Sequence, residues 1–247
     1  MDFQGKVVIV TGGASGMGEA SAREFARAGA QVVIVDRNEA QARRVATELG
    51  ADVRVGDVSD SAFCNTVVEE TVRRHGRLDV LVNAAGIIVR ASGEHTTDEQ
   101  WNRIMGVNVS GTFFMCRAAI KAMKPQGSGA IVNFGSIWGD LGAAGVAAYC
   151  ASKGAVHNLT RALALDHAKD GIRINAVCPG EVNTPMLQSE RKEPVTPELL
   201  QRLADTVPMG RLADPVEIAQ VVLFLASSKA SYMTGSLVLV DAGFAAR

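Results

Sequence analysis

Short apolar runs alternate with segments of helical patterning along the 247-residue chain. The runs are rich in β-branched residues, which is typical of strands that a parallel sheet buries on both faces. They cover residues 6–11, 31–35, 53–56, 78–82, 130–134, 172–178 and 236–240. Apolar residues recur at helical spacing in the segments 59–75, 97–123, 146–167 and 215–226. This alternation predicts an α/β fold with a doubly wound parallel sheet, built as one domain over residues 1–247.

A glycine-rich turn follows the first predicted strand. Gly12, Gly16 and Gly18 precede a helical pattern that carries Ala22 and Phe25 on one face. In a Rossmann fold such glycines permit a tight turn, admit a pyrophosphate close to the backbone, and let the helix pack on the strand. The amide groups at the start of the helix favour a phosphate. The spacing here is G-x-x-x-G-x-G, and a turn that only joins strand to helix is the alternative.

The second predicted strand ends in Asp36, eighteen residues beyond Gly18. An acid at this place accepts a hydrogen bond from the adenosine ribose and repels a 2′-phosphate, so it favours NAD over NADP. Arg37 leaves NADP open, because a guanidinium can bind that phosphate. A helix cap or turn residue is the alternative role for Asp36.

Composition and charge exclude several classes of protein. A net charge of −1 gives no electrostatic basis for binding nucleic acid or an anionic membrane. No apolar run reaches membrane-spanning length. The first residues show neither a basic region nor an apolar region of an export signal, and the four cysteines are scattered without metal-binding spacing. We therefore expect a cytoplasmic protein without a metal site.

A tyrosine and a lysine four residues apart, Tyr149 and Lys153, form the strongest chemical motif. Residues i and i+4 share one face of a helix, so the ammonium lies beside the phenol. A neighbouring positive charge lowers the pKa of a tyrosine from about 10. Tyr149 can then exchange a proton with a substrate whose reacting oxygen is held by Ser136. Tyr-x-x-x-Lys alone is a weak motif, because most such pairs are exposed helix residues.

The candidate residues gather at the carboxyl ends of predicted strands, where open α/β sheets bind ligands. They are Gly12 to Gly18, Asp36, Asp57, Asn83 to Gly86, Ser136, and Pro179-Gly180.

Over its full length the chain resembles a classical short-chain dehydrogenase/reductase. The motifs that carry the resemblance are Thr11-Gly12-Gly13-Ala14-Ser15-Gly16-Met17-Gly18, Asp57-Val58, Asn83-Ala84-Ala85-Gly86, Asn108, Ser136, Tyr149-Cys150-Ala151-Ser152-Lys153 and Pro179-Gly180-Glu181-Val182-Asn183-Thr184-Pro185. The glycine spacing noted above is the pattern of this family, and the order of the motifs makes the resemblance specific.

The resemblance implies a catalytic tetrad of Asn108, Ser136, Tyr149 and Lys153. It implies a nicotinamide cofactor bound by Gly12, Ser15, Gly16, Met17, Gly18, Asp36, Arg37, Asp57, Val58, Asn83, Ala84, Ala85, Gly86, Tyr149, Lys153, Pro179, Gly180, Val182, Thr184 and Met186. Within that set, Asp57 and Val58 flank the adenine, and Val182 and Thr184 meet the nicotinamide carboxamide.

The implied reaction interconverts a secondary alcohol and a ketone. Ser136 and Tyr149 hold the substrate oxygen, Tyr149 transfers the proton, and the nicotinamide carries the hydride. Lys153 lowers the pKa of Tyr149, and Asn108 holds a water that passes the proton to solvent. The resemblance also implies a homotetramer, or at least a dimer. Consecutive apolar residues in the long helix, Phe113 to Met115, agree with this, because such a helix is usually covered on more than one face.

The substrate is read from the parts of the chain that vary in the family. A loop around 183–210 is expected to cover the substrate, and the candidate pocket residues are Glu94, His95, Trp138, Glu181, Met186, Leu187, Arg191 and Lys192. A carboxylate such as that of Glu181 needs a polar partner near a pocket. This favours a small hydroxylated molecule such as a sugar, polyol or hydroxy acid. Trp138 either stacks on a sugar ring or fills the pocket wall.

Two other functions stay open. The first is an NADPH-dependent reductase of 3-oxoacyl-[acyl-carrier-protein]. It is disfavoured because Ala130 and Asp170 stand where such relatives present basic residues to an acidic carrier. The second is a cofactor-sensing protein on the same fold, disfavoured because the serine, tyrosine, lysine and asparagine are all present.

Overall fold

All seven strands lie in one parallel sheet. The structure, a computed structural model, describes residues 3–191 and 193–246. The strands are β1 (Val7–Thr11), β2 (Gln31–Asp36), β3 (Asp52–Val55), β4 (Val80–Asn83), β5 (Gly129–Phe134), β6 (Ile172–Pro179) and β7 (Leu237–Val240). Their order across the sheet is β3-β2-β1-β4-β5-β6-β7. The chain therefore winds outward from β1 in one direction and from β4 in the other, which confirms the predicted doubly wound Rossmann fold.

Eight α-helices accompany the strands in the described part of the chain. They are α1 (Gly16–Arg27), α2 (Glu39–Leu49), α3 (Ser61–His75), α4 (Asp98–Met105), α5 (Thr112–Met123), α6 (Ala147–His167), α7 (Pro197–Asp205) and α8 (Pro215–Ala226). Alternate residues of β1 show how the sheet separates two cores. Val8 and Val10 pack with Phe25 of α1 and Ile218 of α8, whereas Ile9 packs with Met115 of α5 on the opposite face. Both faces of the sheet are therefore buried.

Three segments differ from the sequence prediction. Helix α2 was not predicted, and it begins after Asn38, whose side chain accepts from the backbone of Gln41. The loop expected around 183–210 contains α7, because Pro197 occupies the first turn of that helix, where its missing N–H costs nothing. The predicted helix 97–123 is divided by a π-helical turn, Gly106–Gly111, between α4 and α5.

We call residues 183–191 and 193–210 the covering segment, because Thr184, Met186 and Leu187 line cavities at the carboxyl ends of the strands. A bridge between Val182 and Ala213 fixes its base. Arg103 on α4 pairs with Glu190 of the segment at 2.7 Å. Lys192 lies outside the described residues. Within the ranges that the structure describes, no helix is long and apolar enough to cross a membrane.

Candidate active site

Two adjoining clefts open at the carboxyl ends of the strands. The first, of about 410 Å³, runs from the glycine turn past the ends of β2 and β3. The second, of about 240 Å³, lies between the end of β5, the start of α6 and the covering segment. Residues of the glycine turn, of the loop after β4 and of the covering segment line both clefts, namely Met17, Ala84, Gly86, Thr184 and Met186. An elongated ligand in the first cleft can therefore present one end to the second.

The glycine turn leaves space and donors for a pyrophosphate. Gly12 has φ of +65°, and a Cβ there would lie 2.7 Å from the backbone nitrogen of Ala85. A Cβ at Gly18 would clash with the carbonyl oxygen of Gly12. Ser15 precedes α1 without capping it through its side chain, so the first amides of α1 keep their capacity to bind an anion. These residues fit the phosphates of a dinucleotide.

Asp36 lies at the far end of the first cleft. One oxygen of its carboxylate accepts from the backbone of Ala14 at 3.2 Å, and the other accepts from the backbone of Asn38 at 2.9 Å. The carboxylate is thereby fixed between the glycine turn and the end of β2. The exposed Arg37 lines the same cleft. The structure thus brings together the acid and the cation that the sequence analysis weighed against each other.

Most of the predicted cofactor residues line one of the two clefts. In the first are Gly12, Ser15, Gly16, Met17, Gly18, Asp36, Arg37, Asp57, Val58, Ala84, Ala85, Gly86, Thr184 and Met186, and in the second are Tyr149, Lys153, Pro179, Gly180 and Val182. Asn83 lines neither cleft. Its side chain is buried in the sheet, where it donates to Asn133 at 2.9 Å. Its amide nitrogen therefore joins β4 to β5, and the cofactor contact of Asn83 stays a prediction.

Ser136, Tyr149 and Lys153 all line the second cleft. Burial raises the pKa of Tyr149 to about 12, although its hydrogen bond with Ser136 acts in the opposite direction. The predicted lowering of this pKa by Lys153 is therefore not found. Burial of the phenol outweighs the effects that lower its pKa, and the Lys153 ammonium lies over the face of the ring, with Nζ 5.6 Å from the ring centre.

Lys153 is a buried ammonium that is held by the backbone. Its Nζ donates to the carbonyl oxygen of Phe134 at 2.8 Å. An ammonium has three donors, so two remain for other partners. The missing side chain of Gly86 leaves Nζ accessible, since a Cβ there would lie 3.7 Å from it. Burial lowers the pKa of Lys153 to about 8.

Asn108 lies within the π-helical turn and is buried. Its Oδ1 accepts from the backbone of Ile87 at 2.8 Å, and its Nδ2 donates to the carbonyl oxygen of Ile87 and to Ser152, both at 3.0 Å. The side chain therefore joins the loop after β4 to helix α6, which carries Tyr149 and Lys153. Its two amide hydrogens are both used, which leaves one lone pair of Oδ1 for a further partner.

His157 contacts the backbone of Ser136 and was not assigned a role from the sequence. Its Nε2 accepts from the backbone N–H of Ser136 at 3.3 Å and lies 3.3 Å from the Cys178 sulfur. Burial lowers the pKa of His157, and Asp140, 3.2 Å from its Nδ1, opposes the effect. The spacing of one turn from Lys153 places His157 on the inner face of α6. That periodicity is the only sequence signal that could have indicated it.

The predicted substrate residues fall into two groups. Trp138, Glu181 and Leu187 line the second cleft. Trp138 packs edge-on against Phe244 at 5.3 Å, which favours its role as a pocket wall. Glu94 and His95 line neither cleft. They lie on a short 3₁₀ turn with 77% and 74% of their side chains exposed, and their contact with a substrate stays a prediction. The sequence analysis chose them because they belong to a part of the chain that varies in the family; the same loop does line the cleft at Ile88 and Arg90.

Among the described residues, no group of three His, Cys, Asp or Glu side chains is placed to hold a metal ion.

Comparison with known proteins gives the class to which this fold and site belong. The family model described as enoyl-(acyl carrier protein) reductase matches residues 12–245. A 2,5-dichloro-2,5-cyclohexadiene-1,4-diol dehydrogenase of Sphingobium indicum is 41% identical, over 97% of this chain and 96% of that protein. A galactitol 2-dehydrogenase (L-tagatose-forming) of Cereibacter sphaeroides is 43% identical, over 98% and 96%. The chain belongs to the short-chain dehydrogenase/reductase family.

Solved structures agree with this family. A 3-ketoacyl-(acyl-carrier-protein) reductase from Brucella melitensis complexed with NADH matches with a TM-score of 0.91 and 38% identity, over 98% of this chain and 99% of that one. An actinorhodin polyketide ketoreductase variant with NADPH matches with a TM-score of 0.92 and 36% identity, over 97% of both. The protein is an oxidoreductase of alcohols and ketones that uses a nicotinamide cofactor, and both NADH and NADPH occur among its structural relatives.

Proposed function

We propose that the protein is an NAD-dependent dehydrogenase of a small polar secondary alcohol, with Ser136, Tyr149, Lys153 and Asn108 as its catalytic group. The observation that carries the proposal is the convergence of Ser136, Tyr149 and Lys153 on a cleft that adjoins the glycine turn. The presence of all seven strands in one sheet supports a single catalytic domain.

The proton chemistry follows from the residues of the second cleft. The nicotinamide supplies the hydride chemistry when it is bound. Ser136 and Tyr149 hold the substrate oxygen between their hydroxyls. With its raised pKa, Tyr149 is a proton donor at neutral pH, which suits reduction of a ketone. In oxidation Tyr149 takes the proton of the alcohol as its phenolate, and the hydrogen bond with Ser136 and the charge of Arg90 act against the effect of burial on the pKa of Tyr149.

The remaining donors of Lys153 and the glycine turn would bind the cofactor. Lys153 keeps two donors that can meet ribose hydroxyls next to Gly86. Asn108 would act mainly as a positioning residue, because its hydrogen bonds fix the loop after β4 against α6. The free lone pair of its Oδ1 is compatible with the water that the family resemblance implies.

The Tyr149→Phe variant tests the catalytic assignment. Phenylalanine keeps the ring packing and removes only the titrating hydroxyl. We expect kcat to fall by about 10²–10⁴-fold, with the Kd for NAD changed by less than about threefold because the cofactor contacts remain. Absorbance of NADH measures turnover, and protein fluorescence titration measures binding. A variant that keeps more than about a tenth of wild-type kcat would show that another group transfers the proton.

NAD is proposed over NADP because the fixed carboxylate of Asp36 closes the first cleft where a 2′-phosphate would lie. We expect a higher kcat/KM with NAD than with NADP in the wild type. Asp36→Ala removes the repulsion and leaves Arg37 to attract the phosphate, so the preference should weaken or reverse. A wild type that prefers NADP would refute this assignment.

A homotetramer is proposed from the large apolar side chains that remain exposed. Trp101 on α4, Phe113 on α5 and Leu165 on α6 are 43%, 36% and 83% exposed, and Phe224 on α8 and Leu239 on β7 are 36% and 48% exposed. Two separated helix surfaces with such residues are consistent with two different contacts between copies. Light scattering at micromolar concentration should give four times the 26.0 kDa of one chain. A mass of one chain would refute the proposal.

A cytoplasmic location stays a prediction from the sequence.

The substrate class is tested with a panel of sugars, polyols, hydroxy acids and simple alcohols, each with NAD and with NADP. The polar residues of the second cleft, Ser136 and Glu181 among them, support a hydroxylated substrate. The carrier-protein alternative predicts instead that NADPH-dependent reduction of a 3-oxoacyl thioester exceeds turnover of every small alcohol. A cofactor sensor would bind NAD and turn over none of them.

A further inference from the structure

Two arginines reach the second cleft from separate parts of the chain. Arg90 lies in the loop after β4, and Arg191 lies near the middle of the covering segment, and both line the cleft that contains Tyr149. Only Arg191 was considered in the sequence analysis. Arg90 lies 59 positions before Tyr149 in the chain, and nothing in its local pattern marks it.

Each guanidinium is anchored through its Nε to a carbonyl oxygen of the covering segment. Arg90 donates from Nε to Ser189 at 3.0 Å, and Arg191 donates from Nε to Leu187 at 2.7 Å. Arg90 makes one further long contact, from Nη2 to Met186 at 3.4 Å. The outer nitrogens, which form the planar fork of a guanidinium, are therefore largely available to a ligand.

The two positive charges lack an ion-pair partner among the residues that the structure describes. Other arginines around the cleft are paired, such as Arg103 with Glu190. Neither Arg90 nor Arg191 has a carboxylate oxygen within 4.0 Å in that part of the chain. Burial lowers the pKa of Arg90, and the charge of Arg191 lowers it further. Arg90 and Arg191 thus place two like charges on the lining of one cleft, and a bound anion would offset their repulsion.

Glu181 is the acidic group of this cleft, and it does not neutralise both arginines. Burial raises the pKa of Glu181 against the opposing effect of Arg90 and Arg191. A single carboxylate, with a reduced tendency to ionise, faces two guanidinium groups. The cleft therefore keeps an excess of positive charge next to the proton donor Tyr149, whose pKa also responds to Arg90.

We propose that Arg90 and Arg191 bind a carboxylate of the substrate, so that the enzyme acts on a small hydroxy acid and the corresponding keto acid. The inference rests on the proposed function, because Ser136 and Tyr149 hold the alcohol or ketone oxygen of the same molecule. The carboxylate accepts hydrogen bonds from the outer nitrogens of the guanidinium groups, a pairing stronger than that between neutral groups. Neutral sugars and polyols, which lack the carboxylate, are poorer substrates in this account.

A purely structural role for the arginines makes a different prediction. If they only hold the covering segment through Ser189 and Leu187, their loss affects every substrate alike. If they bind the carboxylate, their loss affects acids and spares neutral analogues of the same shape. The comparison of an acid with its methyl ester separates these two roles.

The experiment uses hydroxy acids with the carboxylate one to four carbons from the carbinol: lactate, 3-hydroxybutyrate, 4-hydroxypentanoate and 5-hydroxyhexanoate. Each is compared with its methyl ester, with NAD and with NADP. We expect kcat/KM for the best acid to exceed that of its ester by about tenfold or more. Arg191→Met should lower kcat/KM for the acid by at least about tenfold and for the ester by less than about threefold.

Two further variants complete the design. Arg191→Lys keeps the charge without the planar fork, so it should restore part of the activity on the acid. Arg73→Met removes an exposed arginine of α3 that lines neither cleft, and it should change the rate with neither substrate. Equal rates for acid and ester in the wild type, or an equal loss of both in Arg191→Met, would overturn the inference.

A binding measurement separates this inference from the proposed function. Calorimetric titration with pentanoate and pentanamide, in the presence of NAD, requires no turnover. Binding of pentanoate that is lost in Arg191→Met supports the carboxylate site even if no alcohol is oxidised, in which case the proposed function fails alone. Turnover of neutral alcohols without binding of pentanoate refutes the carboxylate site and leaves the dehydrogenase proposal intact.

Discussion

Replacing Lys153 by methionine should abolish activity. It should also change the stability of the protein, relative to wild type, in a way that is more stabilising at neutral pH than at high pH. The ammonium is 5% exposed, and burial lowers its pKa from 10.5 to about 8. A difference of about 2.5 pKa units corresponds to about 3 kcal/mol. Lys153→Met removes this cost, and it also removes the hydrogen bond to the carbonyl oxygen of Phe134. The latter loss is worth about 1–3 kcal/mol, so the net change at a single pH is small.

The pH dependence of stability separates the cost of burying the Lys153 charge from the loss of its hydrogen bond. Between pH 8 and 10.5 the unfolded chain binds more protons at Lys153 than the folded protein does, so wild-type stability rises with pH in that window. Below pH 8 the buried Lys153 ammonium lowers wild-type stability by its full amount. The loss of the hydrogen bond is the same at each pH. We therefore expect the free energy of unfolding of Lys153→Met, minus that of the wild type, to be about 2–3 kcal/mol larger at pH 7 than at pH 10, which means greater relative stability at pH 7.

Urea unfolding at pH 7, 8, 9 and 10 measures this difference at fixed protein concentration. Lys121→Met, on an exposed position of α5, is the matched control for the loss of a lysine. A difference between wild type and Lys153→Met that is constant over this range, or that changes with the opposite sign, would refute the reasoning. Turnover should be lost at every pH, and NAD affinity should fall as well if Lys153 binds the ribose.

Three further predictions concern residues that fix the scaffold. Arg173 donates to the carbonyl oxygens of four residues at and beyond the end of α8, so Arg173→Met should lower the free energy of unfolding by roughly 2–4 kcal/mol in urea. Asn108→Ala leaves both polar groups of Ile87 without their partner, and calorimetry should show a lower Tm together with lower kcat. Burial raises the pKa of Asp79, but hydrogen bonds from Arg77 and the backbone of Val7 outweigh it and hold that pKa below its ordinary value. The stability that Asp79 contributes is therefore present above about pH 4 and lost as pH falls further, so the deficit of Asp79→Asn should shrink in acid unfolding curves.

The sheet and the glycine turn could be predicted because their signals are local. An apolar β-branched run such as residues 6–11 is sufficient to indicate a buried strand, and the carboxyl ends of such strands meet at one edge. The gathering of Ser136, Tyr149 and Lys153 at one cleft follows from that topology. Helix α7 was not predicted, although a proline such as Pro197 favours the first turn of a helix.

The rest depends on contacts between distant segments. The pairing of Arg90 with the covering segment joins residues about a hundred positions apart, and no pattern within the chain shows it. Glu94 and His95 were chosen for their chemistry, but the 3₁₀ turn directs them into solvent. The pKa of Tyr149 could not be foreseen, because it depends on burial and on where the Lys153 ammonium lies relative to the ring.

The π-helical turn at Gly106–Gly111 sets the position of Asn108, although the packing of the flanking helices α4 and α5 does not require it. A π turn holds one residue more than an α-helix needs to keep α4 and α5 in phase. Deleting a single residue from it would restore a regular α-helix and leave both flanking helices facing the same neighbours. The side chain of Asn108 would then turn away from Ile87 and Ser152. Such a deletion would remove the link that Asn108 makes between the loop after β4 and α6, so the irregular turn is what holds the helix carrying Tyr149 and Lys153 to that loop.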